Sequence, residues 1–145
     1  MTACTFIGHT DFAKTDSSSI YKAIKTLIEK EDVTTFYVGT HGNFDRMVYR
    51  CLCQLENRYN IKTIVVLSHL NRTNQYYDMS KTIFPDVLTK TPPRFAITKR
   101  NQYMISQSQY MICGVNNTLS NSYRFAKEAQ KRGLKVINIG ELEEL

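Results

Sequence analysis

No aliphatic run in the chain is longer than Ile64–Leu67, far short of the ~18 consecutive apolar residues that span a bilayer, so a transmembrane helix and a membrane partner are excluded. Cysteine is sparse, and Cys4, Cys51, Cys53 and Cys113 all lie inside apolar segments with no Cys-x-x-Cys spacing. Neither a zinc site nor a disulfide framework is supported, and Cys113 reads as a small buried hydrophobe. The opening Met1-Thr2-Ala3-Cys4-Thr5-Phe6-Ile7-Gly8 has no basic segment and reads as a buried strand, so no secretory signal is expected and the compartment is cytoplasmic. Internal repeats and low-complexity linkers are missing too. So is the dinucleotide fingerprint Gly-x-Gly-x-x-Gly, which leaves a standard NAD site unsupported. No cofactor and no metal is expected.

What is present fits one domain over residues 1–145. Hydrophobic residues make up 42% and charged residues 22%, close to globular averages, which excludes wholesale disorder. Acids are outnumbered 13 to 19, a formal charge of +6, and the excess favours anionic partners. Its distribution is more informative. Lys81, Lys90, Arg94, Lys99 and Arg100 face only Asp86 within their segment, whereas the tail carries Glu141, Glu143 and Glu144. A local anion site is favoured over a uniformly basic surface.

Hydrophobic periodicity alternates between strand and helix. The run Cys4 to Gly8 is a strand. Asp16 and Ser17 to Ser19 offer caps to a helix whose Ile20, Ala23, Ile24, Leu27 and Ile28 fall at i, i+3, i+4, i+7 and i+8. Thr34 to Val38 is β-branched and aromatic, hence a strand. From near Asn43, the stripe Phe44, Met47, Val48, Cys51, Leu52 and Leu55 predicts a second helix. Lys62 to His69 contains an apolar strand suited to the middle of a parallel sheet. Leu70 to Pro93 is a long excursion with a short strand at Thr82 to Phe84, and its length suggests a lid or binding loop. A helix with a weaker apolar face (Phe95, Ile97, Met104, Ile105) follows Pro92-Pro93. A strand at Tyr110 to Val115, a helix at about Ser120 to Arg132 ending at Gly133, and a strand at Val136 to Ile139 complete the chain. This order predicts an α/β, Rossmann-like three-layer sandwich with a mostly parallel sheet of about five strands.

In such sheets ligands sit outside the carboxyl ends of the strands, at the switch point of the topology. Three loops qualify: Gly8-His9-Thr10-Asp11, Gly39-Thr40-His41-Gly42-Asn43 and Asn116-Asn117-Thr118. Glycine lets backbone approach a ligand, and the first amides of the following helix are free to bind an anion. The small hydroxyl and amide side chains add donors. His9 and His41 without a positioned carboxylate make a poor metal pair, so contacts to phosphate or base are preferred.

These loops, together with Tyr37-Val38-Gly39-Thr40-His41-Gly42-Asn43-Phe44-Asp45 and Lys99-Arg100-Asn101 with Met104 ahead of the strand at Tyr110, resemble the SLOG superfamily. That superfamily includes the Lonely Guy phosphoribohydrolases and the DNA-processing protein A (SMF/DprA) family. The likeness is to its short single-domain bacterial or phage members and runs from about Thr2 to Gly140, including Phe84-Pro85 and Pro92-Pro93-Arg94. It implies a Rossmann-like nucleotide-binding domain, in some cases tied to bacterial or phage conflict systems.

In the Lonely Guy enzymes an Arg-Lys-x-x-Met helix supplies a substrate-binding arginine, and Arg100-Asn101-Gln102-Tyr103-Met104 matches at Arg100 and Met104. Their motif Pro-Gly-Gly-x-Gly-Thr-x-x-Glu corresponds to Gly114 through Asn121, which keeps Thr118 but has Asn121 or Ser120 where the catalytic glutamate stands. An amide does not exchange a proton near neutral pH, so binding is implied rather than phosphoribohydrolase turnover. Asp45, in the first turn of its helix, is the remaining carboxylate, to orient a ribose hydroxyl or to serve as acid/base in a hydrolase. Arg94 and Arg100 join the set as anion contacts. The expected function is binding of a nucleotide or nucleotide-derived signal molecule by a sensor or sequestering protein. The alternative is hydrolysis of an N-glycosidic or phosphate ester bond. Expected partners are that small molecule and further copies of the chain, with nucleic acid less favoured.

Overall fold

The structure, a computed structural model, describes residues 2–12, 17–70 and 76–145. Among these, strands β1 (Ala3–Gly8), β2 (Thr35–Val38), β3 (Lys62–Val66), β4 (Thr82–Ile83), β5 (Tyr110–Gly114) and β6 (Lys135–Asn138) form one sheet in the order β4-β3-β2-β1-β5-β6. Every neighbouring pair is parallel. The short strand expected at Thr82 to Phe84 is present as β4, where Thr82–Ile83 pairs with Val65 and Val66 at the edge of β3, and it makes the sixth strand beside five longer ones. The chain steps outward from β1 to β4, then returns to lay β5 beside β1, with Gly8 opposite Gly114. The switch point therefore lies between the carboxyl ends of β1 and β5.

The helices are α1 (Ser17–Glu31), α2 (Gly42–Glu56), α3 (Asp86–Thr89), α4 (Ala96–Ser106) and α5 (Asn121–Lys131). Side chains alternate across a strand, and β5 shows the consequence. Ile112 packs with Ile20, Ile24, Val48 and Leu52 of α1 and α2. Met111 and Cys113 pack with Ile105 of α4 and with Ala126 and Ala129 of α5. Two apolar layers, one on each face of the sheet, make the three-layer sandwich. No helix among the described residues is long and apolar enough to cross a membrane.

The proposed cap Asp16 lies outside the described residues, as do residues 71–75 of the excursion. Past them, the excursion docks on α2 through Tyr77 to Lys81, pairs with β3 through β4, and packs on α4 through α3. The Tyr77 ring meets Tyr49 edge-on at 4.7 Å, the Tyr49 hydroxyl accepts the Asp78 N–H at 2.9 Å, and Lys81 pairs with Glu56. Pro93–Phe95 forms a single 3-10 turn that leads into α4. Gly133, with φ +90°, follows α5 as its place after the last apolar residue predicts.

Candidate functional site

A cleft of about 590 Å³ opens beside the switch point, lined by the loop after β1, the start of α2, and facing parts of α4 and α5. Its deepest charged groups are Arg100 and Asp45, 2% and 7% exposed. A β-carbon built on Gly39 would lie 2.8 Å from Arg100 Nη1 and 2.9 Å from Asp45 Oδ2. The two opposite charges thus converge on the backbone of one residue, and only glycine leaves them the space.

Each partner is held from its own side. The Asp45 Oδ2 accepts the backbone N–H of His41 at 2.9 Å, so the side chain reaches back to the residue that caps α2. The Arg100 Nε donates to Asn101 Oδ1 at 2.9 Å, while its Nη1 is buried without a hydrogen-bond partner. Burial pushes the Asp45 carboxyl up, opposed by Arg100 and the His41 N–H. Burial pushes the Arg100 guanidinium down, opposed by Asp45 and Tyr77. Tyr77 completes the group. Its hydroxyl is buried and unpartnered, and burial, reinforced by the Asp45 charge, holds it far above the usual phenol range.

The three glycine- and asparagine-bearing loops pack against one another at the mouth. The Asn116 N–H donates to His9 Nε2 at 2.9 Å, which leaves the other ring nitrogen of neutral His9 to carry its proton. The Asn43 N–H donates to Thr10 O at 2.8 Å. Gly42 adopts φ +91°, and a β-carbon there would lie 2.5 Å from Thr10 Cα. Glycine is needed at that position both for conformation and for contact.

The residues singled out from sequence fall into two groups. Gly8, His9 and Thr10 after β1, together with His41 and Asp45, line the cleft. Arg94 before α4, Arg100 within it, and Asn121 at the start of α5 line it as well. Gly39 lies behind the charged pair. Asp11, Thr40, Gly42, Asn43, Asn116, Asn117 and Thr118 are not among its lining. Two of these amides are engaged elsewhere: Asn117 Oδ1 accepts the Leu119 N–H of its own loop at 3.0 Å, and Asn116 Oδ1 accepts the Glu141 N–H of the segment after β6 at 2.9 Å.

Sequence reasoning missed the walls. Ile97, Thr98, Asn101 and Gln102 come from α4, and Ser122, Arg124, Phe125 and Glu128 from α5. The signal was available, because Asn121, Arg124 with Phe125, and Glu128 recur at i, i+3 or i+4, and i+7, one face of a helix. Ser120 caps α5 by accepting the Tyr123 N–H at 3.1 Å. The acid missing at Asn121 has a counterpart two turns along, where Glu128 Oε2 is buried and unpartnered. Among the described residues no group of three or more His, Cys, Asp or Glu is placed to hold a metal ion.

No protein-family model matches the chain, and no curated sequence matches it. Among solved structures, the fold is similar to that of DNA processing protein A from Streptococcus pneumoniae, with 18% identity and a TM-score of 0.71. The likeness covers 95% of this chain and 50% of that protein, so the chain spans about half its length. At that identity it is the fold alone that is shared, a Rossmann-like α/β arrangement.

Proposed function

We propose that this SLOG-type fold binds a nucleotide or nucleotide-derived molecule in the switch-point cleft, as a sensor or a sequestering protein. The observation that carries the reading is the buried Arg100 Nη1, which lacks a partner beside Asp45. An unsatisfied buried donor costs about 1–3 kcal/mol, more when it is charged, and a ligand acceptor would recover that cost. A phosphate suits it. The unpaired amides in the first turn of α5, at Asn121 and Ser122, line the same cleft and favour an anion. Asp45 accepts hydrogen bonds from the sugar hydroxyls, and Asn101 or Asn121 adds an amide contact.

A second reading is hydrolysis of an N-glycosidic bond, supported by the upward shift of Asp45. A raised carboxyl keeps its proton at higher pH, as a general acid requires. Mass spectrometry of small molecules released on denaturation tests the first reading, and chromatography for free base after incubation with nucleotides tests the second. Binding to DNA, suggested by the structural neighbour's name and the +6 charge, would announce itself by a steep fall in affinity with salt.

A further inference from the structure

Resting on the nucleotide reading of the same cleft, we propose that the base it takes is guanine and that Glu128 reads it. The lining carries Arg94, Arg100 and Arg124 and two acids, Asp45, whose charge is opposed by Arg100, and Glu128. A carboxylate among them opposes an anion. It is useful only where the ligand presents donors, which a phosphate does not. Glu128 retains that capacity: its side chain is half-buried with 31% exposed, its Oε2 has no hydrogen-bond partner, and its Oε1 is 3.9 Å from Arg132 Nη2, beyond hydrogen-bond range.

An ionised carboxylate is acceptor-only and takes two parallel N–H groups best. Guanine presents two adjacent donors, N1–H and the 2-amino group. Adenine and cytosine set a lone pair beside their amino group, and uracil flanks its single N–H with two carbonyls, so each would place a lone pair against one oxygen of Glu128. On this wall and on the facing α4 are groups suited to the rest of the base. Gln102 and Arg124 offer donors for O6 and N7, and Phe125 offers a ring on which the base can stack. The spacing fits as well. Glu128 lies six residues past Ser122, about 9 Å further along the helix axis at the standard rise. A phosphate at the amides of α5 thus leaves room for a ribose before the base reaches Glu128.

Calorimetric titration of the full chain with GMP, IMP, AMP and CMP tests this, because IMP differs from GMP only by the 2-amino group. The expected order is GMP tightest by about tenfold or more, the worth of one hydrogen bond to a charged group. In Glu128→Gln, which keeps size and the helix, GMP should fall to the level of IMP while AMP is unchanged or tighter. Equal affinity for GMP and IMP, tighter binding of AMP or CMP, or an unaltered GMP preference in Glu128→Gln would overturn the guanine assignment and leave nucleotide binding standing. Failure of these four and of the corresponding di- and cyclic phosphates to bind would instead remove the nucleotide reading on which it rests. A melting curve of Glu128→Gln matching that of the unaltered protein keeps a folding defect from being mistaken for lost recognition.

Discussion

Replacing Arg100 by Met removes one charge of a buried, opposed pair and leaves the other. Arg100 is 2% exposed, and its departure takes away the cation that most lowers the Asp45 carboxyl. Removing that cation leaves the Asp45 charge buried with less compensation, a cost of about 1–3 kcal/mol. At about 2–4 °C per kcal/mol for a chain of this size, the melting temperature should drop by about 2–12 °C near pH 7. The loss depends on pH with a definite sign. Asp45 already titrates above its ordinary value of 3.8, and without Arg100 it titrates higher still. A raised folded pKa means that the native state holds its proton longer than the unfolded chain. Stability is therefore fully present below the ordinary range and lost as pH rises through the raised value. Arg100→Met should consequently melt much closer to the unaltered protein at about pH 4 than at about pH 7. The double variant Asp45→Asn with Arg100→Met removes both charges and should recover much of the loss at pH 7. Thermal melts by circular dichroism at both pH values would check this. A single variant as stable as the parent near pH 7, or an equal loss at both pH values that Asp45→Asn does not relieve, would refute the reasoning.

Two glycines and a tyrosine give independent checks. In Gly8→Ala the new methyl would sit 2.2 Å from Cγ of the fully buried Phe44 ring, itself wedged edge-on against Phe12. A ring cannot yield as a flexible side chain does, so a loss of about 3 kcal/mol is expected in a chemical denaturation series. Gly39→Ala instead meets the far ends of Arg100 and Asp45. It should cost less stability than Gly8→Ala but abolish ligand affinity in calorimetry, since the guanidinium must move. Tyr77→Phe deletes a buried hydroxyl that has no partner. Without ligand it should melt no lower than the parent, and up to about 1 kcal/mol more stable; a clear loss would mean that the hydroxyl is satisfied.

The fold was readable because strand and helix faces are written in local periods. Met111, Ile112 and Cys113 alternate between the two faces of β5, and Ile20, Ile24 and Leu27 recur along α1. The edge strand β4 was harder to delimit, since a two-residue strand carries almost no pattern of its own. The loops at the switch point were likewise legible, because glycine after a strand has a local cause. Which of their side chains turn toward the cleft was not. Asn116 and Asn117 are spent on hydrogen bonds within or beside their own loop, a choice made by packing. The burial of Arg100 was hidden for the same reason, since the sequence shows a basic stretch and not that Gly39, from another element, leaves room beside Asp45 for its guanidinium. The walls from α4 and α5 were passed over because polar residues on those helices look like ordinary solvated faces until the cleft between them is seen.

Thermal melts of the full chain against a panel of nucleoside mono-, di- and cyclic phosphates of all four bases, alongside Arg100→Lys, test the central claim most directly. Lysine keeps the charge but lacks the fork that leaves Nη1 free for a ligand. The account predicts that at least one member, at a hundredfold excess over its dissociation constant, stabilises the parent by about 2.7 kcal/mol, and that Arg100→Lys loses most of that gain. No shift with any member of the panel, or an equal shift in Arg100→Lys, would contradict it.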